Sequence, residues 1–333
     1  MTTVVFVGGG DANFYALDAG TGAVIWKTPL GTLPATFLWS SPVVYQGSVY
    51  MGVSSFGDCP LVQGQLVKMD AATGTIQNVF NNVPNGCIGG AVWSSPTIDP
   101  TTGDVFIATG TIHPQCSSPE PYTLSMIELR SSDLSLVGNW QLPPSDWIGD
   151  STDFGASPTL FQATINGTVH YLVGADNKNG KFYAFERGAG GAVSNGPIWE
   201  DQIAAPGKCP LCGQGAISSA AWDGSTLYIA GGHTTINNTA CLGSIQAVDP
   251  ATGAFLWQRC LNDGAVLGPV SLVPGVAIVE AGKDILLLDT STGQTLSTLT
   301  DTRNNSRYFA GASVSNGILY TANMDWNLYA YGL

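Results

Sequence analysis

Positive charge is scarce in this chain. Its 333 residues hold 11 Lys and Arg against 24 Asp and Glu, for a formal net charge of −13. Nucleic acids and anionic membranes are bound by clustered Lys and Arg, so both are excluded as partners. Charged residues of either sign reach only 11%, which leaves too little Glu and Lys for long helices. No apolar run is long enough to span a bilayer as a helix, so no membrane insertion is expected. No signal peptide precedes Val4-Val5-Phe6-Val7, which implies an internal protein or a mature, trimmed one. The three histidines, His113, His170 and His233, lie far apart and offer no zinc cluster, even beside Cys209-Pro210-Leu211-Cys212. Nucleophile-elbow, P-loop and dinucleotide signatures are missing too.

What the chain has instead is Gly (42), Pro (19) and 44% hydrophobic residues, the composition of many short strands joined by tight turns. Phe14-Tyr15-Ala16-Leu17-Asp18-Ala19-Gly20-Thr21-Gly22-Ala23-Val24-Ile25-Trp26 reads as one such hairpin. Tyr15, Leu17, Val24 and Trp26 supply apolar side chains at period two. Asp18 is placed to accept turn amides, and Gly22 supplies a positive φ. The unit recurs at Leu66–Gly74, Ile245–Gly253 with Trp257, and Leu286–Gly293. Weaker copies run through Met126–Arg130 with Trp140 and Phe182–Glu186 with Trp199, and a half copy closes the chain at Leu328–Tyr331. Copies return roughly every 40 to 60 residues, each preceded by two strand-like runs such as Ser41–Tyr45 and Ser48–Val53. That pattern predicts an all-β fold, a β-propeller of four-stranded antiparallel blades. Seven blades are expected, with six or eight as alternatives. One domain should span 1–333, its first blade lacking the inner strand and its last lacking the outer one.

Seven cysteines with few lysines suggest an exported, disulfide-bearing protein in an extracellular, periplasmic or cell-surface setting. Cys241–Cys260 and Cys209–Cys212 are the expected bridges, and the odd count leaves at least one thiol over. Ligands of propellers sit where loops lead into the innermost strands. Here those loops carry Trp39, Trp93 and Asp153, which would suit a small molecule, a carbohydrate or a protein at the channel mouth. Packing between blades is the alternative role of both tryptophans.

The A-L-D-x-x-T-G-x-x-x-W unit resembles the repeat of pyrroloquinoline-quinone (PQQ)-type propellers. That superfamily includes quinoprotein alcohol dehydrogenases, polyvinyl alcohol dehydrogenase-like proteins and an outer-membrane assembly lipoprotein. The resemblance implies a PQQ and Ca²⁺ site. Asp150-Ser151-Thr152-Asp153-Phe154-Gly155-Ala156-Ser157-Pro158 is similar to a segment whose aspartates act as general base and metal ligand. Gly174-Ala175-Asp176-Asn177-Lys178-Asn179-Gly180 is similar to one whose lysine contacts the quinone. Gly52–Asp58 and Ala108–Thr111 are similar to two further site segments. Departures are plain. The family's glutamate falls at Gly57, with Asp58 next to it, and its asparagine falls at Thr111. Its first aspartate falls at Ser151, with Asp150 one place away. Ser218-Ser219 stand where a stacking Trp-Gly is expected, and the adjacent-cysteine pair is missing. The expected catalytic positions are therefore Asp153, Asp150 and Lys178. Ligand contacts are expected at Trp39, Trp93, Asp58, Thr111 and Asp176, with no assigned metal ligand. The resulting expectation is an exported binding or scaffold module with a degenerate cofactor site and no bound cofactor. The alternative is a PQQ- and Ca²⁺-dependent alcohol oxidoreductase, or another enzyme using the channel mouth.

Overall fold

The computed structural model describes residues 3–113, 116, 119–188, 190–302 and 306–332. Met1, Thr2 and Leu333, at the ends of the expected propeller, lie outside the described residues. The chain is an all-β, seven-bladed propeller of antiparallel sheets. Three single-turn 3₁₀ segments, at Pro144–Asp146, Ala192–Asn195 and Pro210–Cys212, are its only helical pieces among the described residues. No helix there is long and apolar enough to cross a membrane.

Two compact units divide the chain. The first runs to Pro158 and takes in Gly188–Gly196. It contains the three-stranded sheet Val4–Gly8, Asn13–Asp18, Val24–Pro29. Next comes the sheet Val43–Tyr45, Ser48–Ser55, Gln65–Asp70, Ile76–Asn81, with Thr36–Phe37 also paired to Ser48–Ser55. Its third sheet is Thr97–Ile98, Asp104–Ala108, Ser125–Arg130, Leu136–Gln141. The second unit holds three four-stranded sheets, the first of them Thr159–Ile165, Thr168–Asp176, Lys181–Glu186, Pro197–Gln202. It ends in the three-stranded sheet Ser313–Ser315, Ile318–Ala322, Leu328–Gly332. A small hairpin, Thr234–Ile236 with Thr239–Cys241, is inserted in its second sheet.

The repeated turn is built as its residues require. Asp18 Oδ1 accepts the amides of Gly20 and Thr21 and the Thr21 hydroxyl, and Gly22 turns the chain at φ +73°. Asp70 and Asp289 repeat this arrangement. The buried face of the opening hairpin differs from the period-two reading. Phe14 and Ala16 are fully buried, whereas Tyr15 and Leu17 are only half-buried. Burial alternates without a break from Ala12 through Phe14 to Ala16, and a bulge opposite Ala16 and Leu17 adds Ile25 to the facing strand. That extra residue flips the alternation of its own strand, so Trp26 lies opposite Ala16 and joins Phe6 and Phe14. Five other hairpins carry the same bulge.

The tryptophan that ends a hairpin rests on the glycine turn of the next sheet. A Cβ on Gly74 would fall 2.5 Å from the Trp26 ring, and the Trp26 indole N–H donates to Ala71 O at 3.2 Å. Trp199 meets Gly253 and donates to Pro250 O at 3.0 Å. Trp257 meets Gly293 and donates to Thr290 O at 2.9 Å. Absence of a side chain at these glycines lets a flat ring sit against the backbone, which satisfies the indole N–H while burying its faces.

Disulfides link Cys209–Cys212 and Cys241–Cys260, as expected, and also Cys87–Cys116, a pairing the sequence does not reveal. Cys59 is the free, exposed thiol.

Candidate functional site

In the first unit, three loops bring Asp58, Thr111 and Asp153 together. Asp58 follows the strand Ser48–Ser55. Gly57 and Asp58 adopt φ values of 63° and 60°, a left-handed pair that turns the chain back on itself. The Asp58 carboxylate therefore returns to its own strand, where Ser55 Oγ donates to its Oδ1 at 2.9 Å. Thr111 lies just beyond Asp104–Ala108, where Gly110 N–H is held by Ala91 O and Thr109 Oγ1 donates to Tyr122 O. Asp153 precedes Phe154, whose amide donates to Thr109 O. Thr111 and Asp153 are buried, and Asp58 is exposed.

The Thr111 amide donates to Asp153 Oδ1 at 2.7 Å. The Thr111 hydroxyl lies 3.1 Å from that same oxygen and 3.3 Å from Asp58 Oδ2. A hydroxyl has one proton to give. At most one of these contacts is a hydrogen bond at a time, and the other sets oxygen against oxygen. Two carboxylates around one hydroxyl form an oxygen-only donor set, the ligand chemistry of a hard cation such as Ca²⁺. Trp93 borders this group. A Cβ on Gly110 would fall 2.9 Å from Asp153 Oδ1 and 3.3 Å from Trp93 Nε1, so glycine is what admits both. Asp150 contributes its backbone, accepting the Ile112 amide at 3.0 Å. Trp39 is joined through Ser55: its indole N–H donates to Ser55 O at 3.0 Å.

Lys178 and Asp176 belong to the second unit. Lys178 is half-buried in the turn after Thr168–Asp176, and its carbonyl accepts the Gly207 amide at 3.0 Å. Asp176 is fully buried, and among the described residues neither carboxylate oxygen receives a hydrogen bond. Burial alone pushes its carboxyl well above the usual range. Aligned on hairpin register, Asp176 pairs with Phe182. The equivalent pairs are Gly8–Phe14, Gly52–Leu66, Ala108–Met126, Ala230–Ile245, Glu280–Ile285 and Ala322–Leu328. Five of the seven positions are Gly or Ala, and two carry acids. Glu280 is the second; it accepts a hydrogen bond from Thr321 through one oxygen while the other receives none, and burial raises it to about 7. In the first unit, Glu128 is likewise buried in a strand and raised to about 7 by burial and by nearby Asp104. Sequence reasoning missed Glu128, Glu280, Ser55 and Gly110. A lone carboxylate inside Met126-Ile127-Glu128-Leu129 or Ala277-Ile278-Val279-Glu280 was the available signal. Among the described residues one group of three metal-ligand types clusters, Cys87, Cys116 and Glu120, but its two cysteines are bonded to each other and offer no thiolate.

A family model described as outer membrane protein assembly factor BamB matches residues 1–114. Polyvinylalcohol dehydrogenase of Sphingopyxis sp. (strain 113P3) is 26% identical over 84% of this chain and 49% of its own length. Quinohemoprotein alcohol dehydrogenase ADH IIB of Pseudomonas putida is 29% identical over 57% of this chain and 32% of its own length. The chain thus spans half or less of the curated relatives it matches. Among solved structures, quinohemoprotein alcohol dehydrogenase from Comamonas testosteroni superposes with a TM-score of 0.72 at 16% identity, covering 95% of this chain and 60% of that one. Repeat unit, blade architecture and relatives agree in kind: the chain has the fold of a seven-bladed β-propeller and is similar to PQQ-type propellers, among them polyvinylalcohol and quinohemoprotein alcohol dehydrogenases.

Proposed function

We propose that this propeller serves an alcohol oxidoreductase that uses PQQ and Ca²⁺. The observation that carries the reading is the convergence of Asp58 and Asp153 on the single hydroxyl of Thr111, an arrangement a hard cation would complete. The alcohol dehydrogenases among its relatives favour this reading over a scaffold. When bound, the quinone would accept the two electrons and the carbon-bound hydrogen of an alcohol, its carbonyl polarised by the cation. Asp153 is the general base, accepting the hydroxyl proton, and the Thr111 amide keeps its carboxylate oriented. Asp58 would share the cation, and Asp150 shapes the loop behind Thr111. Three disulfides suit an oxidising compartment, which supports a setting outside the cytoplasm.

Terbium luminescence excited through tryptophan tests the cation site without any turnover, because Trp93 borders Asp153. Wild type should bind Tb³⁺ and release it to Ca²⁺. Asp153→Asn should weaken binding at least tenfold, about 1.4 kcal/mol. PQQ absorbance titrated in the presence of Ca²⁺ then tests the quinone, and dye-linked oxidation tests turnover. Sensitised emission unchanged by Asp153→Asn, or no PQQ uptake at high micromolar concentration, would sink the oxidoreductase reading. Gly57 and Thr111, in place of the family's glutamate and asparagine, favour the second reading, a binding or scaffold module, which such a result would support.

A further inference from the structure

Beside the Asp58 loop, in the first unit, three aromatic rings form a shelf that packing leaves uncovered. Trp39 and Phe56 lie almost parallel, 12° apart with centroids separated by 5.8 Å, and each is more than half exposed, at 52% and 54%. Phe37 supports both from one side, 4.3 Å from Trp39 and 5.3 Å from Phe56. Core packing would bury such rings, and an inter-blade wedge would resemble Trp26, with its ring seated on a glycine turn. Trp39 does neither. Its indole N–H is committed to Ser55 O, which fixes the ring plane while leaving a face open to solvent.

Ser55 also donates to Asp58 Oδ1, and Asp58 Oδ2 approaches the Thr111 hydroxyl. A run of direct bonds therefore joins the shelf to the acidic cluster. Apolar ring faces on one side and carboxylate and hydroxyl oxygens on the other match a molecule that is hydrocarbon along one edge and hydroxylated along the other. We infer that the Phe37–Trp39–Phe56 shelf is a subsite for a hydroxyl-bearing aliphatic chain, longer than the unit that reaches Asp153. The inference rests on the alcohol reading above for the chemistry of its ligand and adds to it a preference for chain length.

Affinity electrophoresis in native gels containing polyvinyl alcohol tests the shelf with neither quinone nor Ca²⁺ present. Wild type should be retarded in proportion to polymer concentration. Trp39→Ala and Phe56→Ala should each weaken the apparent affinity at least fivefold, and Trp39→Phe should lie between. Both side chains are largely at the surface, and unchanged urea midpoints would establish that the variants fold. The inference is overturned if wild type runs unretarded, if both alanine variants are retarded equally with wild type, or if dextran retards the protein and polyvinyl alcohol does not. A negative terbium or PQQ result would leave these gels unaffected, so the two readings fail separately.

Discussion

Single atoms decide the geometry around Asp153. Gly110 is needed there for space, because the Cβ that any other residue brings would meet the Asp153 carboxylate at 2.9 Å. Gly110→Ala should move that carboxylate and weaken Tb³⁺ binding about tenfold, with a moderate stability loss of about 1–3 kcal/mol from overpacking. Terbium titration beside a urea melt checks both. A stability loss with unchanged Tb³⁺ affinity would show that Asp153 is not the ligand. Legibility at this scale was uneven. Asp58, Thr111 and Asp153 were readable because each sits in a segment similar to a known site. The role of Gly110 was not, since a glycine required by a neighbour 43 residues onward in sequence looks like any other turn glycine. Phe37 and Phe56 were equally silent: exposure depends on what packs above a residue, and no local pattern encodes that.

Among elements, the hairpin was the most legible part of the molecule, because Asp, Thr and Gly act there through bonds within six residues of one another. The bulge was not legible. It adds no distinctive residue, yet it turns Trp26 to the face of Phe14 and Ala16 while Val24 stays opposite Leu17. Two glycine substitutions separate the turn from the tryptophan it receives. Gly22 and Gly74 share nearly the same φ, +73° and +72°, but a Cβ on Gly22 meets nothing within 4 Å. Gly22→Ala should cost about 1 kcal/mol, the penalty of a left-handed alanine. Gly74→Ala should cost about 2–4 kcal/mol, since it also drives a methyl into the Trp26 ring. Urea midpoints measure both, and equal losses would remove Trp26 from the account.

Across the whole molecule, buried acids and capped acids set opposing limits on stability. Asp18, Asp70 and Asp289 are held below the usual carboxylate range by side-chain hydrogen bonds from Thr21, Thr73 and Ser291, which they accept as anions. Their contribution is present above the unfolded value of 3.8 and is lost as pH falls through their lowered values. Glu128 and Glu280 run the other way. Raised from 4.5 to about 7, they contribute fully below 4.5, and that contribution is lost as pH rises through 7. Thermal stability should therefore peak between about pH 4 and 4.5 and fall toward pH 8. Glu280→Gln removes one acid while keeping an acceptor for Thr321. Above pH 7 it should gain up to roughly 3 kcal/mol over wild type, and its alkaline decline should be shallower. Calorimetry from pH 4 to 9 would show this, and a variant curve parallel to wild type would refute it. Blade number was legible because seven hairpin strands could be counted. The burial of Asp176, singled out in the sequence only as a ligand contact, and of Glu280 was not, because it follows from where the sheets are packed.

The tryptophan and glycine contacts also impose an order in time. Trp26, Trp199 and Trp257 reach their carbonyl partners 45, 51 and 33 residues later in the chain, and never earlier. A ribosome making this protein therefore releases each of these rings well before the turn that will receive it. Each of these blades leaves the exit tunnel with one greasy indole uncovered and is finished only when its successor's hairpin emerges. A pause in synthesis within such an interval would lengthen the exposure of that ring, so codon tempo between Trp26 and Gly74 bears on aggregation of the nascent chain.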